Sequence, residues 1–139
     1  MKISIINGPN LNLLGKREKN TYGNESFENY FDKLKIKFPQ VSLTSFQSNI
    51  EGEIVDAIQG SGFNVDAIIL NAGAYTHTSI AIGDAVAAIP ARTVELHISN
   101  IFAREEFRKI SHISAKAEGI ISGLGLYGYD LAIEFLINK

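Results

Sequence analysis

Short β-branched segments alternate with amphipathic ones along this chain, and that alternation constrains its fold more than any other feature. Lys2–Asn7 is a β-branched run closed by Gly8-Pro9. Phe27, Tyr30, Phe31, Leu34 and Phe38 recur at helical spacing over 26–38, with Ser26 as N-cap and Pro39 as stop. Residues 41–46 alternate as a strand does. Residues 50–58 read as a helix, with Gly60 and Gly62 beyond its end. Residues 66–70, continuously apolar after Asp66, read as a strand covered on both faces. A helix over 79–88 stops at Pro90. A strand follows at 92–98, a short helix at 104–110, a fifth strand at 119–122 and a closing helix at 129–137.

Strands separated by helices imply βαβ units and a mainly parallel sheet. The 139 residues are enough for one domain, residues 1–139. A chain of this size buries roughly 68% of its unfolded surface, so it needs no staples. Five strands then predict a flavodoxin-like α/β three-layer sandwich, with a five-stranded parallel sheet in the order 2-1-3-4-5. In such sheets ligands bind beyond the carboxyl ends of the strands, where the order reverses. That crevice falls between strands one and three, with strand four beside them.

Composition removes several function classes. The 13 basic and 15 acidic residues leave a net charge of −2, which excludes a strongly basic nucleic-acid binder and a polybasic membrane patch. With no cysteine there is no disulfide, thiolate nucleophile or cysteine-held metal. No apolar run reaches the 18 or so residues needed to span a bilayer. The apolar stretch at 3–6 is cut at once by Asn7-Gly8-Pro9-Asn10, unlike a secretory leader. A cytoplasmic protein is expected.

The strand ends carry the chemistry. Strand one ends in Asn7-Gly8-Pro9-Asn10. Strand three ends in Asn71-Ala72-Gly73-Ala74, followed by Tyr75-Thr76-His77-Thr78-Ser79. Strand four carries Glu95 and His97 and leaves through Ser99-Asn100. Each has an ordinary reading. Asn beside Gly or Pro makes turns, Ser79 or Thr78 caps the next helix, and a strand histidine often only packs. Their convergence on one sheet edge points instead to a site.

A polar stretch bracketed by Gly15 and Gly23 has the length of an active-site lid, about residues 16–25. It holds Arg17 and Tyr22. One reading is a solvated loop. The other is a tyrosine base, since a phenol of ordinary pKa about 10 becomes usable beside a guanidinium. Gly123-Leu124-Gly125-Leu126-Tyr127-Gly128 fits G-x-G-x-x-G, but the chain ends before a second strand and acidic residue could follow. A tight turn into the last helix accounts for it better. His77, His97 and His112 lack metal-ligand spacing, and no metal is expected.

Taken together, Asn7-Gly8-Pro9-Asn10-Leu11-Asn12-Leu13-Leu14-Gly15-x-Arg17-Glu18-x-x-x-Tyr22-Gly23 resembles the N-terminal signature of type II 3-dehydroquinate dehydratases. Asn71-Ala72-Gly73-Ala74-x-Thr76-His77-Thr78-Ser79, Glu95-x-His97-x-Ser99-Asn100 and Arg104-Glu105-x-Phe107-Arg108 resemble its later blocks, in order and across the whole chain. So do Gly123-Leu124-Gly125 and Gly128-Tyr129.

The resemblance implies a hydro-lyase that converts 3-dehydroquinate reversibly to 3-dehydroshikimate by anti elimination through an enolate, in the shikimate or quinate pathway. It implies no cofactor and a homo-oligomer, a dodecamer built as a tetramer of trimers. It makes Tyr22 the base, with Arg17 lowering its pKa. Asn10 orients a water on the enolate oxygen, and His97 is the general acid held by Glu95. The substrate carboxylate falls to Ser99 and the backbone amides of Ile98 and Ser99. The ring hydroxyls fall to Asn71, His77 and Arg108. Asp84 reaches a neighbouring subunit's site. Three positions depart from the pattern. Lys19 stands in place of a proline, Gly83 in place of a larger, often basic residue, and Phe102 in place of a polar one. A flavin-binding or receiver module of the same fold is the rival reading. Asn7 and Asn71, where a receiver needs acids, weigh against it.

Overall fold

Residues 1–16 and 24–139 are described by a computed structural model of the chain; Arg17, Lys19 and Tyr22 lie outside the described residues. Strand β1 (Lys2–Asn7) takes an interior place in the sheet because its isoleucines face both ways. Ile3 and Ile5 enter one hydrophobic core and Ile6 the other. Burying one such side chain stabilises by roughly 1.5–3 kcal/mol. Strand β3 (Ala67–Asn71) is buried at every position, as its unbroken apolar run requires. With β2 (Ser42–Gln47), β4 (Arg92–His97) and β5 (Gly119–Ser122) they form one parallel sheet in the order β2-β1-β3-β4-β5. This is the topology expected from the sequence.

Helices α1 (Phe27–Lys37) and α4 (Tyr127–Ile137) cover one face, and α2 (Glu51–Gly62) and α3 (Ile80–Ala88) cover the other. The expected caps form. Ser26 Oγ accepts from Asn29 N at 3.2 Å, and Ser79 Oγ from Ile82 N at 3.0 Å. Asp130 of α4 is buried where α1 meets it, accepting from the Tyr30 hydroxyl and, at 2.7 Å, from Lys37 Nζ.

Two expectations are corrected. Helix α2 does not stop before Gly60 and Gly62 but runs through both. A Cβ at Gly62 would lie 2.4 Å from Ile89 Cγ2, so glycine there lets the helix end pack onto the chain beyond α3. Asn64 Nδ2 meets the Gly60 carbonyl at 2.8 Å and satisfies one of the last free acceptors. The segment read as a helix over 104–110 contains only the 3₁₀ turn Glu106–Lys109, which follows a second such turn at Ile101–Ala103. Its two apolar residues, Phe107 and Ile110, are both exposed and give a longer helix no face to bury. Smaller differences lie at ends: β4 stops at His97, and α4 begins at Tyr127.

Candidate active site

All five strands run the same way, so the exits of β1, β3 and β4 open onto one edge. A crevice of about 130 Å³ lies there, and its lining includes Asn10, Asn71, His77, His97, Arg104 and Arg108. Ile98 and Ser99 also border it. Most of the residues picked out from the sequence are thus brought together. Glu95 stands one layer behind, beneath His97. Asp84 does not join this crevice. It lies on α3 with an exposed side chain, 3.9 Å from Lys116 Nζ.

Asn10 is the one non-glycine residue with positive φ among those described, at 70°. Asparagine tolerates that left-handed conformation. Its N–H is held at 3.0 Å by Asn49 Oδ1, and Gln47 Nε2 braces the same turn through the Gly8 carbonyl at 3.1 Å. A Cβ at Gly8 would lie 2.5 Å from the Ala72 carbonyl oxygen, so this glycine brings the β1 and β3 exits together. The sequence did not assign Gln47 or Asn49 to the site. Their position, Gln47 at the end of β2 and Asn49 just beyond it, is the only signal that could have done so.

Two imidazoles form the floor, with ring centroids 6.1 Å apart and stacked. His97 Nε2 is 2.7 Å from Glu95 Oε1, both residues being buried. Burial opposes the charge on Glu95. Hydrogen bonds from His97, Ser114 and Ser111 outweigh it and hold the carboxyl below its ordinary range. An ionised carboxylate only accepts, so Nε2 carries the hydrogen and Nδ1 is left for the crevice. His77 Nδ1 lies 2.7 Å from the Ile110 carbonyl, which also only accepts. Nδ1–H therefore points there and Nε2 keeps its lone pair. Burial lowers the pKa of His77, which keeps that lone pair available.

Asn71 is pinned on both sides of its amide. Gly73 N donates to its Oδ1 at 3.2 Å, and its Nδ2 donates to the Tyr129 hydroxyl at 3.3 Å. One N–H and one lone pair remain for a ligand. Arg108 pairs with Glu105, whose carboxyl it draws below its ordinary value. Arg104 Nη1 reaches Ser99 Oγ at 3.3 Å, which adds a second guanidinium that the sequence placed in a motif but gave no task.

The glycine-rich turn before α4 has a local purpose. Gly123 and Gly125 adopt φ of 89° and 64°, and their N–H groups reach the carbonyls of His97 and Ile98 at 3.1 and 3.0 Å. The turn fixes the β4 exit, where a dinucleotide motif would instead cradle a phosphate. Among the described residues, no group of three His, Asp or Glu side chains is placed to hold a metal ion. Nor is any helix among them long and apolar enough to cross a membrane.

The chain and its fold have close counterparts. The chain is 54% identical to a 3-dehydroquinate dehydratase of Prochlorococcus marinus subsp. pastoris, over 99% of this chain and 96% of that one. It is 51% identical to one of Exiguobacterium sp., over 99% and 95%. A crystal structure of a type II dehydroquinase from Butyrivibrio crossotus superposes with a TM-score of 0.94 at 48% identity, covering 100% of this chain and 98% of that one. The family model described as dehydroquinase class II matches residues 1–137, and this chain belongs to the class II dehydroquinase family.

Proposed function

We infer that the protein dehydrates 3-dehydroquinate to 3-dehydroshikimate, the activity named for its relatives in the shikimate pathway. The observation that carries the reading is the buried Glu95–His97 pair at 2.7 Å beneath a crevice edged by Asn10, Arg104 and Arg108. An acid, an oxyanion site and cationic anchors are what a carboxylate-bearing β-hydroxy ketone requires.

The reaction begins with a proton leaving the carbon next to the ketone. Tyr22 takes it as phenolate, with Arg17 as the adjacent cation; both assignments rest on the sequence motif. The electron pair moves onto the ketone oxygen, and Asn10, through a water, stabilises the enolate. The pair then returns, the C–O bond to the hydroxyl breaks, and His97 delivers a proton from Nδ1 to form water. Glu95 steadies the imidazolium beforehand and accepts Nε2–H throughout. Ser99 and the Ile98 and Ser99 amides take the substrate carboxylate. Asn71, His77 Nε2 and Arg108 take the ring hydroxyls.

The protein works in this reading as a cytoplasmic dodecamer, a tetramer of trimers, in which exposed Asp84 serves a neighbouring crevice. Absorbance of the conjugated enone product gives the direct test. Adding 3-dehydroquinate to folded protein is expected to produce a rise, and none would refute the reading. Tyr22→Phe is expected to abolish nearly all turnover, and borohydride with substrate to leave activity intact, since no imine forms. Light scattering tests the assembly.

A further inference from the structure

Glu95 lies within β4, fully buried, yet its carboxylate accepts from three side chains. Oε1 takes His97 Nε2 at 2.7 Å and Ser111 Oγ at 3.0 Å, and Oε2 takes Ser114 Oγ. Both serines come from the irregular chain between β4 and β5, behind the crevice. Ser111 Oγ already accepts from the N–H groups of Ile113 and Ser114, each at 3.0 Å. Its single hydrogen is therefore aimed at Glu95. The same stretch offers the Ile110 carbonyl to His77, and its His112 N–H reaches the Thr76 carbonyl at 2.9 Å. One short segment thus stands behind both imidazoles.

A buried carboxylate without donors takes up a proton rather than stay charged. A protonated Glu95 could donate to His97 Nε2, which would release the tautomer and leave no carboxylate to stabilise the imidazolium that carries the catalytic proton on Nδ1. We propose that Ser111 and Ser114 are positioning residues that keep Glu95 an ionised, pure acceptor, and so hold Nε2–H of His97 toward Glu95 while Nδ1, which carries the catalytic proton once the imidazolium forms, faces substrate. Ser114 separates this role from loop anchoring. The turn uses its backbone N–H, whereas its hydroxyl meets only Glu95 among the described residues. The proposal rests on His97 being the general acid.

The decisive variant is Ser114→Ala. Losing one donor to a charged acceptor is expected to lower kcat about tenfold while KM changes less than about twofold. Ser114→Thr, which keeps the hydroxyl, is expected to restore kcat. Imidazole ¹⁵N spectra at neutral pH should show His97 protonated on Nε2 in the wild type and tautomers mixed in Ser114→Ala. Ser111→Ala also strips the turn of its acceptor, so both kcat and melting temperature should fall. Wild-type kcat together with an unmixed Nε2–H tautomer in Ser114→Ala would overturn the proposal. An equal loss in Ser114→Thr would overturn it too, since shape rather than the hydroxyl would then matter. His97→Asn separates the two layers. Wild-type turnover in it removes the acid assignment and this proposal with it. An inactive His97→Asn beside an unaffected Ser114→Ala removes the serine role alone.

Discussion

The Tyr129 hydroxyl donates to Asn7 Oδ1 at 2.7 Å, joining the last helix to the end of the first strand. Burial holds the phenol well above its ordinary pKa, so it remains a donor at every working pH. It also accepts from Asn71, and so one hydroxyl ties a crevice residue to the core. Tyr129→Phe strands a buried acceptor on Asn7 and releases the Asn71 amide. The expected cost is about 1–3 kcal/mol in urea unfolding, with KM for 3-dehydroquinate raised more than kcat is lowered.

Arg104 and Arg108 both border the crevice, and the substrate carries a carboxylate. Arg104→Gln keeps hydrogen-bonding capacity and removes the charge. Steady-state kinetics are expected to show kcat/KM reduced by about 10- to 100-fold, with the melting temperature nearly unchanged. Unaltered kinetics would remove Arg104 from the site.

Glu118 is gripped by Arg92 at 2.7 Å and by Lys139 at 2.8 Å. These cations, Arg92 first, hold its carboxyl at about 2, against an ordinary 4.5. Because the folded value is depressed, the pairing favours folding above pH 4.5 and is lost as pH falls through about 2. Thermal melts of Glu118→Gln against wild type should therefore differ most above pH 4.5 and converge toward pH 2. A gap that widens with acid would contradict the pairing.

Gly83 explains one of the departures noted in the sequence. A Cβ there would lie 2.3 Å from the His112 carbonyl oxygen and 3.0 Å from Lys116 Nζ. Glycine lets α3 press against the segment that carries Ser111 and Ser114. Gly83→Ala is expected to destabilise by about 1–3 kcal/mol through overpacking, measured as a shift in the urea midpoint. Equal stability would show that this segment yields easily.

The sheet was legible because its strands are short, β-branched and bounded by Gly, Pro and Asn. The register of Ile3, Ile5 and Ile6 follows from alternation alone. His97, Asn71 and Asn10 were legible because strand ends in a parallel sheet share one edge. Ser111, Ser114 and Gln47 were not. They lie in irregular chain or at an edge-strand exit, where no periodicity predicts which way a hydroxyl or amide turns. Gly62 does not lie beyond the end of α2 as its sequence suggests, because glycine at a helix end and glycine under a neighbouring side chain look alike in one dimension. Only the position of Ile89 over Gly62 distinguishes the two cases, while Gly60 has open space around it.

The left-handed backbone at Asn10 dictates how its chemistry should be dissected. Alanine there would disturb conformation and remove the amide together, confounding the two effects. Glycine accepts the same dihedral angles and deletes only the functional group. An Asn10→Gly enzyme that folds normally but turns over slowly would isolate the amide's share of catalysis, a separation few non-glycine active-site positions permit.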